Sequence, residues 1–234
     1  MFSTGDSVAF ADLIVAGHRE TWLIRSKQFR YEYMRYLKRQ FEQLTGAGTV
    51  LALTMGRSLK KSAVNAAIDE FEMRAICSRS TREVHVRVAA DGDDLYIDLV
   101  DPDWHAVRVT AAGWSVVQSP PVRFRRTSGM RPLPFPERGV SIDALRPFLN
   151  INENDFVLVT AFLLAALQPH GPYPIFTLIG EQGASKTSLV RMLRNLVDPS
   201  SVPSGALPSA VAIYTSRPTT RIFRHSKMSR SFPT

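Results

Sequence analysis

The sequence predicts an α/β protein that begins with an α+β domain and continues into the opening elements of a second, incomplete α/β domain. Three observations support this fold class. Strand and helix patterns alternate through the first part of the chain, up to residue 118. A connector rich in Pro, Arg and Gly follows and indicates a domain border near residue 140. The chain then has the order helix, strand, loop and helix, which is typical of an α/β unit.

The N-terminal part first shows the period of a β-hairpin and then that of two helices. Val8 and Phe10, and later Trp22 and Ile24, alternate with polar residues, and the stretch VAGHRE supplies a turn. From Ser26 the apolar residues follow a helical period. The first predicted helix ends at Gly46. Its apolar stripe consists of Phe29, Tyr33, Leu37, Phe41 and Leu44. The stripe of the second consists of Leu59, Ala63, Ala67, Ile68, Phe71 and Ala75.

Four further strands predict a β-meander. EVHVRVA (83–89) and LYIDLVD (95–101) flank the turn ADGDD. HAVRVT (105–110) and WSVVQ (114–118) flank the turn AAG. Because consecutive strands joined by short turns pair in an antiparallel sheet, we expect the four to lie in chain order.

A connector with the sequence SPPVRFRRTSGMRPLPFPERG (119–139) follows the meander, so we assign residues 1–139 to the N-terminal α+β domain. After SIDALRPFL, the stretch NEND caps a predicted helix from Glu153 to Leu167. PIFTLIG predicts a strand. A second helix is predicted from Ser185 to Val197, where DPSSVP ends it.

Composition excludes several classes of protein. Hydrophobic residues make up 44% and charged residues 21%, as in ordinary globular chains. The longest apolar run, FVLVTAFLLAAL (156–167), is too short to span a bilayer, and the N-terminus lacks a secretory pattern, so we expect a cytoplasmic protein without membrane contact. The single cysteine, Cys77, excludes an internal disulfide and a cysteine-based zinc site.

The formal charge of +8 invites a nucleic-acid interpretation, but its distribution weakens that interpretation. Residues 200–234 contain five basic residues and no acid, which leaves +3 for the first 199 residues. The body of the chain is therefore only mildly basic.

One stretch matches the Walker A pattern G-x-x-x-x-G-K-[ST] at its first Gly, its Lys and its Thr, and it consists of Gly180, Glu181, Gln182, Gly183, Ala184, Ser185, Lys186 and Thr187. Small residues let backbone N–H groups turn inward and hold phosphate oxygens, and a helix N-terminus adds its dipole. Lys186 would reach the β- and γ-phosphates, and the hydroxyl of Thr187 would bind Mg²⁺. We therefore predict the start of a P-loop NTPase domain in residues 140–203, with ATP and Mg²⁺ as ligands of the eight loop residues.

Ser185 departs from the pattern, which has Gly at that position. A side chain there could crowd a phosphate or shift the loop, so we expect reduced tolerance rather than lost binding. The alternative is a glycine-containing turn between strand and helix, followed by a chance Lys-Thr pair. The apolar strand before the loop and the amphipathic helix after it favour the phosphate-binding loop.

Beyond the loop, DFVLVTAFLLAALQPHGPYPIFTLIGEQGASKTSLVRMLRNLVDP resembles the start of the ATPase domain in bacterial and phage ATP-binding proteins of mobile elements, a primase- or helicase-like family. GHRETWLIRS and PPVRFRRTSGMRPLP are similar to the N-terminal region of that family, so the resemblance covers most of residues 2–203. The family tends to carry Gly-Glu-Gln-Gly, small residues and Lys-Ser/Thr, and Ser185 is less unusual there.

That resemblance implies nucleotide contact at Gly180, Gly183, Lys186 and Thr187. It also implies a helicase-like role in mobile-element DNA replication, with DNA as a partner. The full-length family can form homo-oligomers, whereas oligomerisation of this chain is doubtful.

Hydrolysis needs more than a phosphate-binding loop, because P-loop enzymes hold Mg²⁺ and water with an acid at the end of a second strand. After Thr187 the chain contains one acid, Asp198, at the predicted end of the helix. We therefore assign no catalytic residue and expect ATP binding without hydrolysis.

The tail, residues 204–234, has little periodicity and no acid. Back-translated with permitted codons and read one base earlier, AVAIYTSRPTTRIFRHSKMSRSFPT becomes RGRDLYIAANNAHIPAFENVSQLSD, which resembles the family's continuation into an acid-terminated strand. We therefore expect a frameshift near residues 204–210 that truncates the ATPase domain and leaves an out-of-frame, disordered tail. The alternative is a genuine basic tail that binds phosphate backbones.

The connector offers a second functional class, a non-enzymatic nucleic-acid-binding module that uses its arginines together with the basic tail. Aromatic residues interleaved with arginines are typical of single-strand contacts, although a solvated linker is the simpler interpretation. The residues concerned are Arg123, Arg125, Arg126 and Arg131, with Phe124 and Phe135 between them.

The remaining titratable residues favour structural roles. The acids of the meander lack the Gly and terminal Glu of a calcium loop, so we interpret them as turn and strand-edge residues. None of the histidines has a metal-ligand spacing, and Cys77 is expected to be a packed thiol. The acids are Asp91, Asp93, Asp94, Asp98, Asp101 and Asp103, and the histidines considered are His18, His85 and His105.

Overall fold

The computed structural model describes residues 1–45, 61–179, 181 and 185–202. Over these residues the chain is a mixed α/β protein with two antiparallel sheets and several helices, so the predicted mixture of strands and helices is present. It divides into two compact units: an N-terminal unit of residues 1–85 with 122–125, and a C-terminal unit of residues 86–121 with 126–234. The predicted border near residue 140 differs from this division, because the meander belongs to the C-terminal unit.

The N-terminal unit contains a three-stranded sheet in the order β1-β2-β3, formed by Phe2–Ser3, Ala9–Val15 and His18–Leu23. The hairpin between β2 and β3 is the predicted one. Its turn residues Ala16 and Gly17 have φ angles of 48° and 89°. Two consecutive positive φ angles match the right-handed twist of the flanking strands, which explains why a glycine occupies the second position.

Among the described residues, the N-terminal unit also contains two helices near the predicted positions, α1 (Lys27–Thr45) and α2 (Lys61–Cys77). The hydroxyl of Ser26 accepts a hydrogen bond from the N–H of Phe29 at 3.1 Å and so caps α1. Cys77 is exposed at the end of α2, so the prediction of a packed thiol was wrong. The helices pack on the sheet through a core of Ala9, Ala11, Ile24, Phe29, Val64, Ile68 and Ala75.

The C-terminal unit begins with the predicted meander, in the order β4-β5-β6-β7, whose strands are Val88–Asp91, Asp94–Asp98, Ala106–Thr110 and Gly113–Val117. Strand β4 begins later than residue 83. His85 instead bonds within the N-terminal unit, donating its N–H to the carbonyl of Arg123 and accepting from the N–H of Arg125, both at 2.8 Å. The stretch EVH is therefore paired with another segment before the meander starts.

The second half of the connector is bound within the C-terminal unit and is not a solvated linker. The N–H of Leu133 donates to the carbonyl of Leu99 at 2.9 Å. The N–H of Arg131 donates to the carbonyl of Pro199, also at 2.9 Å. These bonds attach the connector both to Leu99, which follows β5, and to Pro199, which lies just beyond α4.

The remaining elements are a 3₁₀ helix (Ile142–Phe148), α3 (Glu153–Ala166) and α4 (Lys186–Val197). The amide oxygen of Asn152 caps α3 by accepting from the N–H of Asp155 at 2.9 Å, as the stretch NEND predicts. Helices α3 and α4 share a buried cluster formed by Leu149, Phe156, Val159, Leu163, Ala166, Leu193 and Val197.

The predicted strand PIFTLIG is not formed: residues 174–179 pair with no strand in the described part of the chain. Their exposure still alternates, since Phe176 and Leu178 are half-buried whereas Ile175 and Ile179 are 93% and 95% exposed. The ring of Phe176 packs on Phe162 with centroids 4.7 Å apart. The period of two is present, but a strand also needs a neighbour for its backbone groups, and the described residues provide none.

Candidate nucleotide-binding site

The predicted phosphate-binding loop lies between this extended segment and helix α4. Glu181, Ser185, Lys186 and Thr187 belong to the described residues, and α4 begins at Lys186, within one residue of the prediction. Lys186 and Thr187 thus occupy the first two positions of the helix, where backbone N–H groups and the helix dipole favour an anion. The other predicted loop residues, Gly180, Gln182, Gly183 and Ala184, lie outside the described residues.

The side chain of Lys186 contacts Glu181, five residues earlier in the sequence. Its Nζ donates a hydrogen bond to the backbone carbonyl of Glu181 at 2.6 Å. The ammonium group therefore lies on the loop side of the helix N-terminus, and its positive charge adds to that of the helix dipole. Thr187 follows on the first turn and is exposed.

Ser185 adopts a left-handed backbone conformation at the position where the Walker A pattern has Gly, with φ 52° and ψ 21°. Its side chain makes no capping hydrogen bond to the helix. The left-handed region brings Cβ close to the carbonyl oxygen, at about 1–2 kcal/mol for a residue other than Gly. Sequence analysis expected crowding by the side chain, and the structure adds a backbone reason for the Gly of the pattern.

Asp198 ends α4 and is held by an arginine of the meander. Its Oδ1 lies 2.9 Å from Nε of Arg87, whose side chain is almost fully buried. Helix α4 has 12 residues, so Asp198 lies about 18 Å along the axis from the first turn. A carboxylate at that distance cannot share a metal ion with Thr187.

Two of the connector arginines that were candidates for nucleic-acid contact, Arg123 and Arg126, have side-chain partners within their own units. Nε of Arg123 lies 2.8 Å from Oδ2 of Asp12 in the N-terminal unit. Arg126 binds both carboxylate oxygens of Asp98, at 2.6 and 3.0 Å, in the C-terminal unit. Its guanidinium also stacks on the ring of Trp104, 4.0 Å from the centroid.

The aromatic residues of the connector do not form a stacking platform. Phe124 is buried, and Phe135 is exposed but packs its edge on the ring of His105, with centroids 5.5 Å apart. These two side chains therefore support structure, and contact with a nucleic acid through them has no geometric support.

Sequence analysis missed one group of titratable residues, Asp101, Asp103 and His105, whose ligand atoms lie within 4.8 Å of one another. Asp101 already accepts from the backbone N–H of His105 at 2.7 Å, and its Oδ2 lies 2.5 Å from Nδ1 of the same residue. Nη2 of Arg126 lies 3.8 Å from Oδ1. Because these donors already occupy the carboxylate, we interpret the group as stabilising a turn, in which Val100 and Trp104 both have a φ of 59°.

Hydrogen bonding controls the titration of Asp101. Burial raises the pKa of this carboxyl. Hydrogen bonds from the side chain and backbone of His105 and the charge of Arg126 lower the pKa by more than burial raises it, so the net pKa is below the usual 3.8. Asp94, another acid of the meander, lies at the start of β5 and pairs with Arg108 of the neighbouring strand, with Nη2 2.5 Å from Oδ2.

In the described part of the chain, no helix is both long enough and apolar enough to cross a membrane. Comparison of the chain with protein-family models, with curated protein sequences and with solved structures finds no match.

Proposed function

We propose that the chain binds ATP, or another nucleoside triphosphate, with Mg²⁺ through residues 180–187, as a helicase-like P-loop protein of the mobile-element class. The observation that carries this proposal is the fold-back of Lys186 from the first position of α4 onto the carbonyl of Glu181. It holds an ammonium group at a helix N-terminus, next in sequence to the glycines of the Walker A pattern, and that combination suits a triphosphate.

In this proposal Lys186 neutralises the β- and γ-phosphates, and the hydroxyl of Thr187 coordinates Mg²⁺. Backbone N–H groups of the loop, from Gly180 to Ser185, bind phosphate oxygens, and Gly180 and Gly183 permit their inward orientation. The left-handed conformation of Ser185 supports this arrangement, because it turns the chain into the helix at the Gly position of the Walker A pattern.

The proposed activity is binding and not hydrolysis. An acid at the end of a second strand would have to hold Mg²⁺ and water close to Thr187. The acid that follows Thr187 in the sequence, Asp198, is at the opposite end of α4 and is paired with Arg87. We therefore propose no catalytic residue in this chain.

Substitution of Lys186 by Ala tests the proposal. Titration of a fluorescent ATP analogue in the presence of Mg²⁺ should give saturable binding to the wild-type chain and none to Lys186→Ala. The matched control is Lys61→Ala, which also removes a lysine at the first residue of a helix, but in the N-terminal unit and outside residues 180–187. Equal affinity of the wild type and Lys186→Ala would overturn the proposal.

A second candidate is a nucleic-acid-binding module based on the connector arginines and the basic tail. The tail lies outside the described residues, and Arg126 is paired with Asp98 inside the C-terminal unit. Arg123 is the connector arginine with a specific observation in favour of this candidate, because it lies among other arginines of the N-terminal unit.

A further inference from the structure

The positive charge of the chain is concentrated in the N-terminal unit. Residues 1–85 with 122–125 contain fifteen Lys and Arg against nine Asp and Glu, a net charge of +6. Residues 86–121 with 126–199 contain nine basic and twelve acidic residues, a net charge of −3. The net charge of +3 over the first 199 residues is thus the sum of a basic unit and an acidic one. Attraction of an anion is therefore expected at the N-terminal unit.

Within the N-terminal unit, two arginines converge on one carboxylate. Nε of Arg123 lies 2.8 Å from Oδ2 of Asp12, and Nη1 of Arg82 lies 3.7 Å from the same oxygen. Both guanidinium groups also lie over the ring of Phe2, at 5.3 Å for Arg123 and 5.6 Å for Arg82. Both positive charges therefore make cation–π contacts with the same buried ring.

Arg19 is the third member of this group. Its Nη2 donates to the backbone carbonyl of Val122 at 2.8 Å. Burial lowers the pKa of Arg19, and repulsion from Arg123 and Arg82 lowers it further, against an opposing contribution from Asp12. Three guanidinium groups are thus close enough to interact around the carboxylate of Asp12, and the four side chains together carry a formal net charge of +2.

A purely structural ion pair needs one arginine for one carboxylate and does not require two additional positive charges. One arginine neutralises Asp12, and Arg123, with a side chain that is 17% exposed, has the direct contact with it. Arg82 lies farther from the same carboxylate, at 3.7 Å, and leaves 46% of its side chain exposed. An uncompensated positive charge that is both fixed by its neighbours and open to solvent suits an external anion.

We propose that Arg19, Arg82 and Arg123 form a contact site for the phosphodiester backbone of a nucleic acid on the N-terminal unit. The site is separate from the proposed nucleotide loop. A polyanion fits better than a single phosphate, because the N-terminal unit as a whole carries a net charge of +6.

The site recognises charge and not base sequence. Phe2, the aromatic ring of the cluster, is 1% exposed and cannot stack on a base. Binding through phosphates alone is independent of sequence and weakens strongly with salt, because each neutralised phosphate releases condensed counterions.

Fluorescence anisotropy of a labelled oligo(dT) strand of roughly 30 nucleotides, longer than typical site sizes of such modules, tests the proposal with the full chain. Titrations between about 50 and 200 mM KCl give the dependence of affinity on salt. Arg82→Ala should weaken binding several-fold and reduce the slope of log K against log salt by about 0.7, the loss of one phosphate contact on a single strand. Arg82→Lys should keep the wild-type slope, because the charge remains.

Arg74→Ala is the matched control, since it removes one exposed charge of the same unit, paired with Glu70 on α2. A long-range charge effect would weaken binding equally in Arg74→Ala and Arg82→Ala, and that equality would overturn the site. Asp12→Asn supplies an opposite test, because removal of the shared carboxylate raises the charge of the cluster and should tighten binding several-fold. Unchanged or weaker binding by Asp12→Asn with a wild-type melting temperature would also overturn it.

The same titration with duplex DNA distinguishes the form of nucleic acid, and tighter binding of either form supports a phosphodiester site. Lys186→Ala should leave oligonucleotide affinity unchanged, because it lies in the other compact unit. The two proposals therefore fail in different experiments. The nucleotide function fails if Lys186→Ala binds the ATP analogue as the wild type does. The nucleic-acid site fails if Arg82→Ala weakens oligonucleotide binding no more than Arg74→Ala does.

Discussion

Arg87, whose side chain is almost fully buried, forms an ion pair with the partly exposed Asp198, 111 positions away, with Nε of Arg87 2.9 Å from Oδ1 of Asp198. The other guanidinium nitrogens of Arg87 donate to the backbone carbonyls of Asp98 and Arg131, at 3.1 and 3.0 Å. One side chain thus joins the meander, the connector and the end of α4 within the C-terminal unit. The acid nearest in sequence to the proposed nucleotide loop consequently has a structural role.

Removal of Asp198 should strongly destabilise the C-terminal unit. Asp198→Ala leaves the charge of Arg87 buried without its partner, which we expect to lower the free energy of unfolding by about 3–5 kcal/mol. Urea denaturation followed by circular dichroism measures the change. Glu70→Gln is the control, because its partner Arg74 is exposed and such a helix pair contributes about 0.3–0.5 kcal/mol. A loss no larger than that of the control would contradict the prediction.

Replacement of Ser185 by Gly should stabilise the chain and preserve the loop. Gly removes the left-handed strain of about 1–2 kcal/mol, which exceeds the entropic cost of roughly 0.5–1 kcal/mol that Gly adds. The expected gain is a fraction of a kcal/mol up to about 1 kcal/mol, measured by thermal or urea unfolding. Ser185→Ala keeps Cβ and therefore the strain, so it should bring no gain. If Gly and Ala behave alike, the backbone of residue 185 is not strained in solution.

Local patterns predicted much of the fold because their physical causes are local. The hairpin follows from the alternation around Ala16 and Gly17, whose backbone angles suit a two-residue turn. The starts of α1 and α3 follow from the capping side chains of Ser26 and Asn152. These signals act over three or four residues and are therefore visible in a sequence.

The features that sequence analysis missed depend on distant parts of the chain. The alternation around Phe176 is visible in the exposure of its neighbours, but it does not show whether another strand pairs with the segment, and the predicted strand is not formed. The pairing of His85 with Arg123 and Arg125 shifts the start of the meander, and no local pattern indicates it. The charge of +3 over the first 199 residues conceals a basic unit and an acidic one, because the units are not continuous in sequence.

The candidate site was predictable in part. The Walker A pattern singled out Lys186, and the structure adds its bond to the carbonyl of Glu181. The same pattern identified Ser185 as unusual, although the reason lies in its φ angle and needs coordinates. The cluster of Arg19, Arg82 and Arg123 could not be found from spacing, since its members come from three separate segments.

Acid should destabilise the turn that Asp101 holds. The folded-state pKa of Asp101 is below its ordinary value of 3.8, so the carboxylate contributes stability that is fully present above about pH 4–5 and is lost as the pH falls through the folded pKa. Asp101→Asn should therefore be less stable than the wild type at neutral pH, and the difference should shrink at lower pH. Urea midpoints measured from pH 7 to pH 3, roughly that window, check this prediction. A difference that is independent of pH would contradict it.

Loss of the Thr187 hydroxyl should separate metal binding from phosphate binding. In the proposed site that hydroxyl coordinates Mg²⁺, whereas Lys186 and the backbone N–H groups bind the phosphates. Thr187→Val keeps the side-chain shape and removes the ligand oxygen. We expect its affinity for a fluorescent ATP analogue to fall by about tenfold with Mg²⁺, comparable to the loss of a supporting metal contact, and to change little in excess EDTA.

Thr187→Ser is the matched control, because it restores a hydroxyl at the same position and should recover the dependence on Mg²⁺. Since Thr187 is exposed at the first turn of α4, neither substitution disturbs the buried cluster between α3 and α4. Equal loss of affinity by Thr187→Val with Mg²⁺ and in EDTA would place the hydroxyl against the phosphates or the loop. Wild-type behaviour of Thr187→Val under both conditions would remove Thr187 from the metal site.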